Sequence, residues 1–315
     1  FSKACAADKV ARFHFLQGDI PAAAGICCIG AAGRKTAAGS RVHRACQFAA
    51  HDLGGKLFGL QAGDGHSIQQ TLGIGVERIL EQILGLGISL PGIVDPVQKM
   101  ITYSHALGVR DLLFSEIQSY FPWHCTFLND ANAGAFAEGI GSDLPSSFFY
   151  LSLSNTVGGA IFHDGNLLPG DAFRCGEAGH MTLIPDGKPC YCGKTGCVDA
   201  YCSARLLSDL SGGRLEDFFL GLQQNNPDYR SVWDTYLKHL AVVINNLHMI
   251  LDYDIVLGGY VGSFLSPWLD TIRRLVAEHN TFEDDGSFVK LCTYQTGAAA
   301  YGAAMDVMEE FLRTV

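Results

Sequence analysis

Several things are scarce in this 315-residue chain, and each shortage excludes something. No apolar run approaches the roughly 20 residues that a membrane-spanning helix needs. The longest, LAVVINNLHMIL at 240–251, is broken by polar residues. The opening FSKACAADKVARFHF has no apolar core of the kind a secretory signal carries. Positive charge is short as well: 22 Lys and Arg stand against 32 Asp and Glu, for a formal net charge of −10, and no Lys/Arg-rich cluster offsets it. A surface of that sign repels phosphate backbones, so direct nucleic-acid contact by this chain is not expected. Charged residues make up only 17% of the chain and hydrophobic ones 48%, a globular balance rather than a disordered one. No repeat of 20–50 residues is visible, and no C-x-x-C lies beside a βαβ pattern, as a redox dithiol would require. What remains is a globular chain, long enough for two domains, with no membrane partner. With cysteine abundant and no secretory segment, a reducing cytoplasm is the expected location.

Glycine is plentiful, with 37 residues that cluster between apolar runs. Residues 8–60 read as short strands, with LGGK at 53–56 as a hairpin turn. Helical spacing predicts a helix over 66–85. Then GISLPGIVD (87–95) reads as a buried strand ending in a Pro-Gly turn. TFLNDANAGAFAEGIG (126–141) reads as a strand, then a helix capped by Asn129 or Asp130. Two strands around a bend follow at 148–168. The second half is more helical: 203–223 and 231–252, a strand into a Gly-rich turn at 253–262, a helix over 264–279 and a closing helix rich in small residues at 296–315. The expected class is α/β with at least one mixed sheet, and the strand–strand–strand–helix pattern occurs twice.

The cysteine count is 11, and four of them, Cys190, Cys192, Cys197 and Cys202, fall within thirteen positions. His180, Cys190, Cys192 and Cys197 form H-x9-C-x-C-x4-C. One imidazole and three thiolates suit a closed tetrahedral zinc site, which braces structure and leaves no open position for water. Gly187, Gly193 and Gly196 give the loop its sharp turns. The competing reading is a set of free surface thiols. Cys202 is assigned to packing. Two acids flank the cluster, Glu177 and Asp199. They are either solvent-exposed loop acids or, pinned by the loop, acceptors for the hydroxyls of a polyol. Asp130 is likewise either a plain cap or a fixed base for one hydroxyl.

GEAGHMTL followed by CYCGKTGCVDAYCS closely resembles the zinc signature of the ROK family of repressors, open reading frames and kinases. LNDANAGAFAEG (128–139), SLPGIVD (89–95), IVLGGYVG (255–262) and GAAAYGAA (297–304) resemble further family segments in the expected order, so that the likeness runs from about 24 to 312. The resemblance implies a two-domain sugar kinase–Hsp70–actin-like (ribonuclease H-like) fold with a central cleft and a structural zinc loop. Residues 1–130 with 297–315 would form one α/β domain and 131–296 the other. It implies a sugar site of Pro91, Gly92, His105, Asn129, Asp130, Glu177, His180 and Asp199, with Asp130 as the base if the chain is a kinase. It also implies a homodimer or homotetramer.

The nucleotide segments depart from the family pattern. CCIGAAGRK (27–35) aligns with the D-x-G-G-T-K-like hairpin, Cys28 falling at the acid, a poor exchange for a hard magnesium ion. SNTVGGA (154–160) replaces a G-T-G-I-G-G-G-like loop, and Tyr260 brings a bulky ring to the adenosine side. Gly30, Thr156, Gly158, Gly159, Gly258 and Gly259 are what is left of the nucleotide site. Phosphoryl transfer depends on positioning and charge stabilisation. On these grounds the favoured expectation is the effector region of a sugar-responsive transcriptional regulator, binding a small sugar or sugar phosphate, with any winged helix upstream of this chain. The alternative is an ATP- and Mg2+-dependent kinase for the 6-hydroxyl of a hexose or N-acetylhexosamine.

Overall fold

The structure is a computed structural model and describes residues 14–16, 28–33 and 83–314. The strands expected elsewhere in 8–60, and most of the helix expected over 66–85, lie outside the described residues. Packing divides the chain into two units. Among the described residues, one comprises the segments up to Ala133 and from Ala299 on, and the other Gly134–Ala298.

In chain order the elements are β1 (His14–Leu16), β2 (Cys28–Gly33), β3 (Ile83–Leu90), β4 (Ile93–Asp95), β5 (Met100–Ser104), β6 (Val109–Leu113), α1 (Phe114–Gln118), β7 (Cys125–Asn129) and α2 (Asp130–Gly141). They continue with β8 (Phe148–Leu153), β9 (Val157–His163), β10 (Asn166–Leu167), α3 (Asp199–Cys202), α4 (Ala204–Ser208), α5 (Leu215–Gln223), α6 (Pro227–Leu251), β11 (Asp254–Gly258), α7 (Gly259–Gly262), α8 (Leu269–Ala277), β12 (Val289–Leu291) and α9 (Ala298–Thr314).

In the first unit the main sheet runs β1-β2-β3-β7, antiparallel until β7 adds parallel to β3. Ile83–Gly85, expected as helix, begin β3. That strand stops at Leu90 because Pro91 cannot donate to a ladder, and the chain resumes as β4. A separate antiparallel sheet, β4-β5-β6, was not read from the sequence. Its burial is irregular, because a register shift between Ile93 and Val94 breaks the period of two. Asp95 shapes its first turn, its carboxyl oxygens accepting from the Val97 and Gln98 N–H groups and the Gln98 side chain, each at 2.9 Å. Leu86, Ile88, Leu90, Ile101 and Phe127 are among the core residues.

The second unit's sheet runs β10-β9-β8-β11-β12, antiparallel on one side of β8 and parallel on the other. Every residue of β8 is buried, since the strand is central and covered on both faces. Phe149, Leu151 and Leu153 join a core built with Phe218, Trp233, Tyr236 and Leu237. Phe148 and Tyr150 face the other way, against Ala135, Phe162 and Cys292. The 25-residue α6 is capped by Asn226, whose side chain accepts from the Asp228 and Tyr229 N–H groups, and Pro227 pre-sets its first turn. Among the described residues no helix is long and apolar enough to cross a membrane.

Candidate metal centre and flanking acids

In the second unit, one side-chain atom from each of His180, Cys190, Cys192 and Cys197 lies within 4.8 Å of the other three. A tetrahedral zinc with sulfur at about 2.3 Å and nitrogen at about 2.0 Å puts sulfurs about 3.8 Å apart and nitrogen about 3.6 Å from sulfur. Cys192 Sγ and Cys197 Sγ are 3.8 Å apart, and His180 Nδ1 is 3.9 Å from Cys190 Sγ. Donor set and spacing therefore fit zinc. Burial lowers the His180 pKa, favouring the neutral ring that a metal takes, and pushes the Cys190 thiol up to about 12. Burial raises the Cys197 thiol as well, whereas at Cys192 hydrogen bonds from the Lys194 backbone and the neighbouring thiols outweigh burial and lower it. A bound cation would take the place of the protons on all three.

The backbone explains why these groups converge. Leu183 N–H donates to Gly196 O at 2.7 Å and Val198 N–H to Met181 O at 2.9 Å, so the segment carrying Cys197 lies against the one following His180. Cys190 N–H donates to Lys194 O at 2.7 Å, folding the three cysteines into a knuckle. The Tyr201 hydroxyl accepts from Lys188 N–H at 2.7 Å and ties that knuckle to α3. Gly176 (φ +88°) lies against Gly159, and Gly179 against Val157, so closely that a Cβ at either would collide with β9 backbone. Gly159, expected at the nucleotide, is thus held in packing that sets the approach to Glu177.

The flanking acids differ. Glu177 is half-buried and precedes the 3-10 turn that carries His180. Asp199 is only 6% exposed, and its Oδ1 accepts the Val157 N–H at 2.6 Å. Burial lifts its pKa to about 6, against the lowering effects of that N–H and of Arg205. Cys202 is fully buried, in keeping with packing. Tyr191 was not singled out from the sequence. Its hydroxyl lies 3.2 Å from His180 Nε2.

In the first unit, Asn129 is the cap of α2, its Oδ1 accepting from Ala131 and Asn132 N–H at 2.9 and 3.1 Å. Its Nδ2 donates to Gly92 O at 2.9 Å. Gly92 (φ +127°) is pressed on Tyr103 and Ser104, so Gly92 and Asn129 are held together with the end of β5. Asp130, with Oδ1 3.0 Å from Ala131 N, occupies the first turn of α2. His105 is exposed in the β5–β6 turn, and its Nδ1 lies 2.8 Å from the Tyr103 hydroxyl.

Of the nucleotide residues, Gly30 lies on β2 opposite Phe15 and Gly87, Thr156 in the β8–β9 turn and Gly158 at the start of β9. Gly258 ends β11 beneath the Tyr150 hydroxyl, and Gly259 (φ +76°) packs on Leu153 and Ser154, which brings the two Gly-containing turns side by side within the second unit. Tyr260 packs against the apolar core.

The fold is the mixed α/β, actin-like sugar kinase fold. A ROK family glucokinase from Streptomyces griseus, solved with glucose and AMPPNP, superposes with a TM-score of 0.69 over 95% of this chain and 100% of that one, at 19% identity. A ROK family transcriptional regulator, a homologue of the E. coli MLC protein, gives 0.66 over 96% of this chain and 82% of that one, at 20% identity. The ROK family model matches residues 66–310, and the chain belongs to that family. The match begins after Gly30 and the 27–35 segment, so the alignment of Cys28 with a kinase acid falls outside it. Among named relatives, the glucokinase of Halalkalibacterium halodurans is 27% identical over 269 residues, 75% of this chain and 79% of its own length. The xylose repressor of Bacillus subtilis is 33% identical over 128 residues, 40% of this chain and 33% of its own length.

Proposed function

We propose that this chain is a zinc-braced sugar kinase that transfers a phosphoryl group from ATP, with Mg2+, to a sugar hydroxyl. Asp130 takes the hydroxyl proton and Glu177 accepts from ring hydroxyls, with His180 beside it as the metal-side member of the rim. The carrying observation is the state of Asn129. It does the capping of α2 and tethers the Pro-Gly loop, so the neighbouring Asp130 carboxyl need not serve as the helix cap. A base fixed on a rigid helix end is what proton removal at one hydroxyl needs. Kinase relatives matched along most of their length support this reading over the repressor, whose match is partial.

His180, Cys190, Cys192 and Cys197 would hold zinc, which when bound supplies a closed structural brace. Asp199 keeps β9 in register with the loop through Val157. On this reading its part is to position the rim rather than to touch the sugar with both oxygens.

One observation favours the regulator as a second reading. The Ser154-Asn155-Thr156 turn lacks the glycines that allow backbone to approach a phosphate closely. A coupled ATP assay over glucose, N-acetylglucosamine, mannose and xylose separates the two. Turnover with at least one sugar, reduced about 10²–10⁴-fold in Asp130→Asn, is expected. Tight sugar binding without turnover would replace the kinase by the regulator, and no binding of any of the four would overturn the sugar reading itself.

A further inference from the structure

The segment between Cys190 and Cys192 contributes one large aromatic side chain to the metal centre, Tyr191. Tyr191 sits on the knuckle and is 44% exposed. A residue there needs no aromatic body to fold the loop, because the turn is closed by backbone bonds between Cys190 and Lys194 and between Cys190 and Gly193. Its hydroxyl end is turned in, 3.2 Å from His180 Nε2, and the two rings meet edge to face with centroids 5.3 Å apart.

His180 Nδ1 faces the sulfurs, so a metal-bound ring carries its proton on Nε2 and donates it to the Tyr191 oxygen. An aromatic ring with a polar tip, anchored at one end and open on its body, suits a ligand with an apolar C–H face and hydroxyls at its edge.

We propose that Tyr191 is a specificity-determining residue of the sugar rim: its hydroxyl fixes the orientation of His180, and its exposed ring is the platform on which the apolar face of a pyranose rests. This rests on the sugar-binding reading above, and it assigns a part of that site to a residue between two metal ligands. It also gives the zinc brace a direct route to recognition, since the knuckle that closes on the metal carries the platform.

Two variants separate the hydroxyl from the ring. In Tyr191→Phe the ring stays, so the tightest-binding sugar among glucose, mannose, xylose and N-acetylglucosamine should hold its affinity within about threefold, while Tyr191→Ala weakens it about tenfold and flattens the preference among the four. Titration calorimetry on zinc-replete protein reads both. A second readout needs no sugar: in Co2+-substituted protein, Tyr191→Phe should shift the visible bands of the metal centre, because the imidazole has lost its outer partner. Unchanged bands in Tyr191→Phe would remove the hydroxyl's role. Sugar binding by the wild type that Tyr191→Ala matches would overturn the proposal and leave the sugar reading intact. A wild-type protein that binds none of the four sinks both.

Discussion

Glu138 lies on α2, is fully buried, and serves the second unit as a clamp. Its Oε1 accepts from the N–H groups of Thr293 and Tyr294 at 2.7 and 2.9 Å and from the Cys292 thiol at 3.0 Å. Its Oε2 has no hydrogen-bond partner among the described residues. Glu138→Ala strips two part-buried backbone N–H groups of their acceptor, at about 1–3 kcal/mol each. The burial cost of the acid is relieved at the same time, which offsets part of the loss. A net destabilisation of about 3 kcal/mol remains, which for a domain of this size lowers Tm by about 6–12 °C. Glu138→Gln keeps an oxygen acceptor in place and loses only the charge assistance, so it should forfeit about 1 kcal/mol. Thermal and urea unfolding of metal-replete protein reads both variants. A Glu138→Ala protein within about 0.5 kcal/mol of wild type, the range of an ordinary surface change, would refute the clamp, as would a Gln variant no better than Ala.

Two shorter predictions come from the same reasoning. Asn129→Ala loses the α2 cap, worth about 1 kcal/mol, together with the Gly92 tether. Asn129→Asp keeps the cap and loses only the tether, so steady-state kinetics should show sugar KM raised in both variants but Tm lowered mainly in Ala. Gly179→Ala drives a methyl group into the Val157 carbonyl. It should cost about 1–3 kcal/mol and release zinc more readily to a chelator, as measured by competition with a chromogenic dye.

The clustering of His180, Cys190, Cys192 and Cys197 was legible because one loop contains all four, and their order in sequence nearly sets their order in space. Asn129 as a cap was legible for the same local reason, its partners lying two and three residues on. The tether to Gly92, 37 positions away, was not. The β4-β5-β6 sheet escaped because its bulge destroys the alternation that marks a strand. Asp199 read as a rim acid because a carboxyl beside a zinc loop is chemically suited to hydroxyls. Only the fold reveals that it reaches Val157 N–H, 42 positions away. Tyr191 was hidden between two cysteines whose chemistry drew the eye. Gly159 read as a phosphate glycine, but the crowding of Phe149 and Gly176 around it is set by tertiary packing.

The most direct test of the account removes the metal and watches the ligand. Freshly purified protein should contain one zinc per chain. Stepwise chelation should abolish sugar affinity in proportion to zinc lost, while far-UV circular dichroism stays near its starting value, and added zinc should restore binding. Metal-free protein that binds sugar as tightly as the holo form would contradict the claim that a zinc-closed knuckle sets the sugar rim.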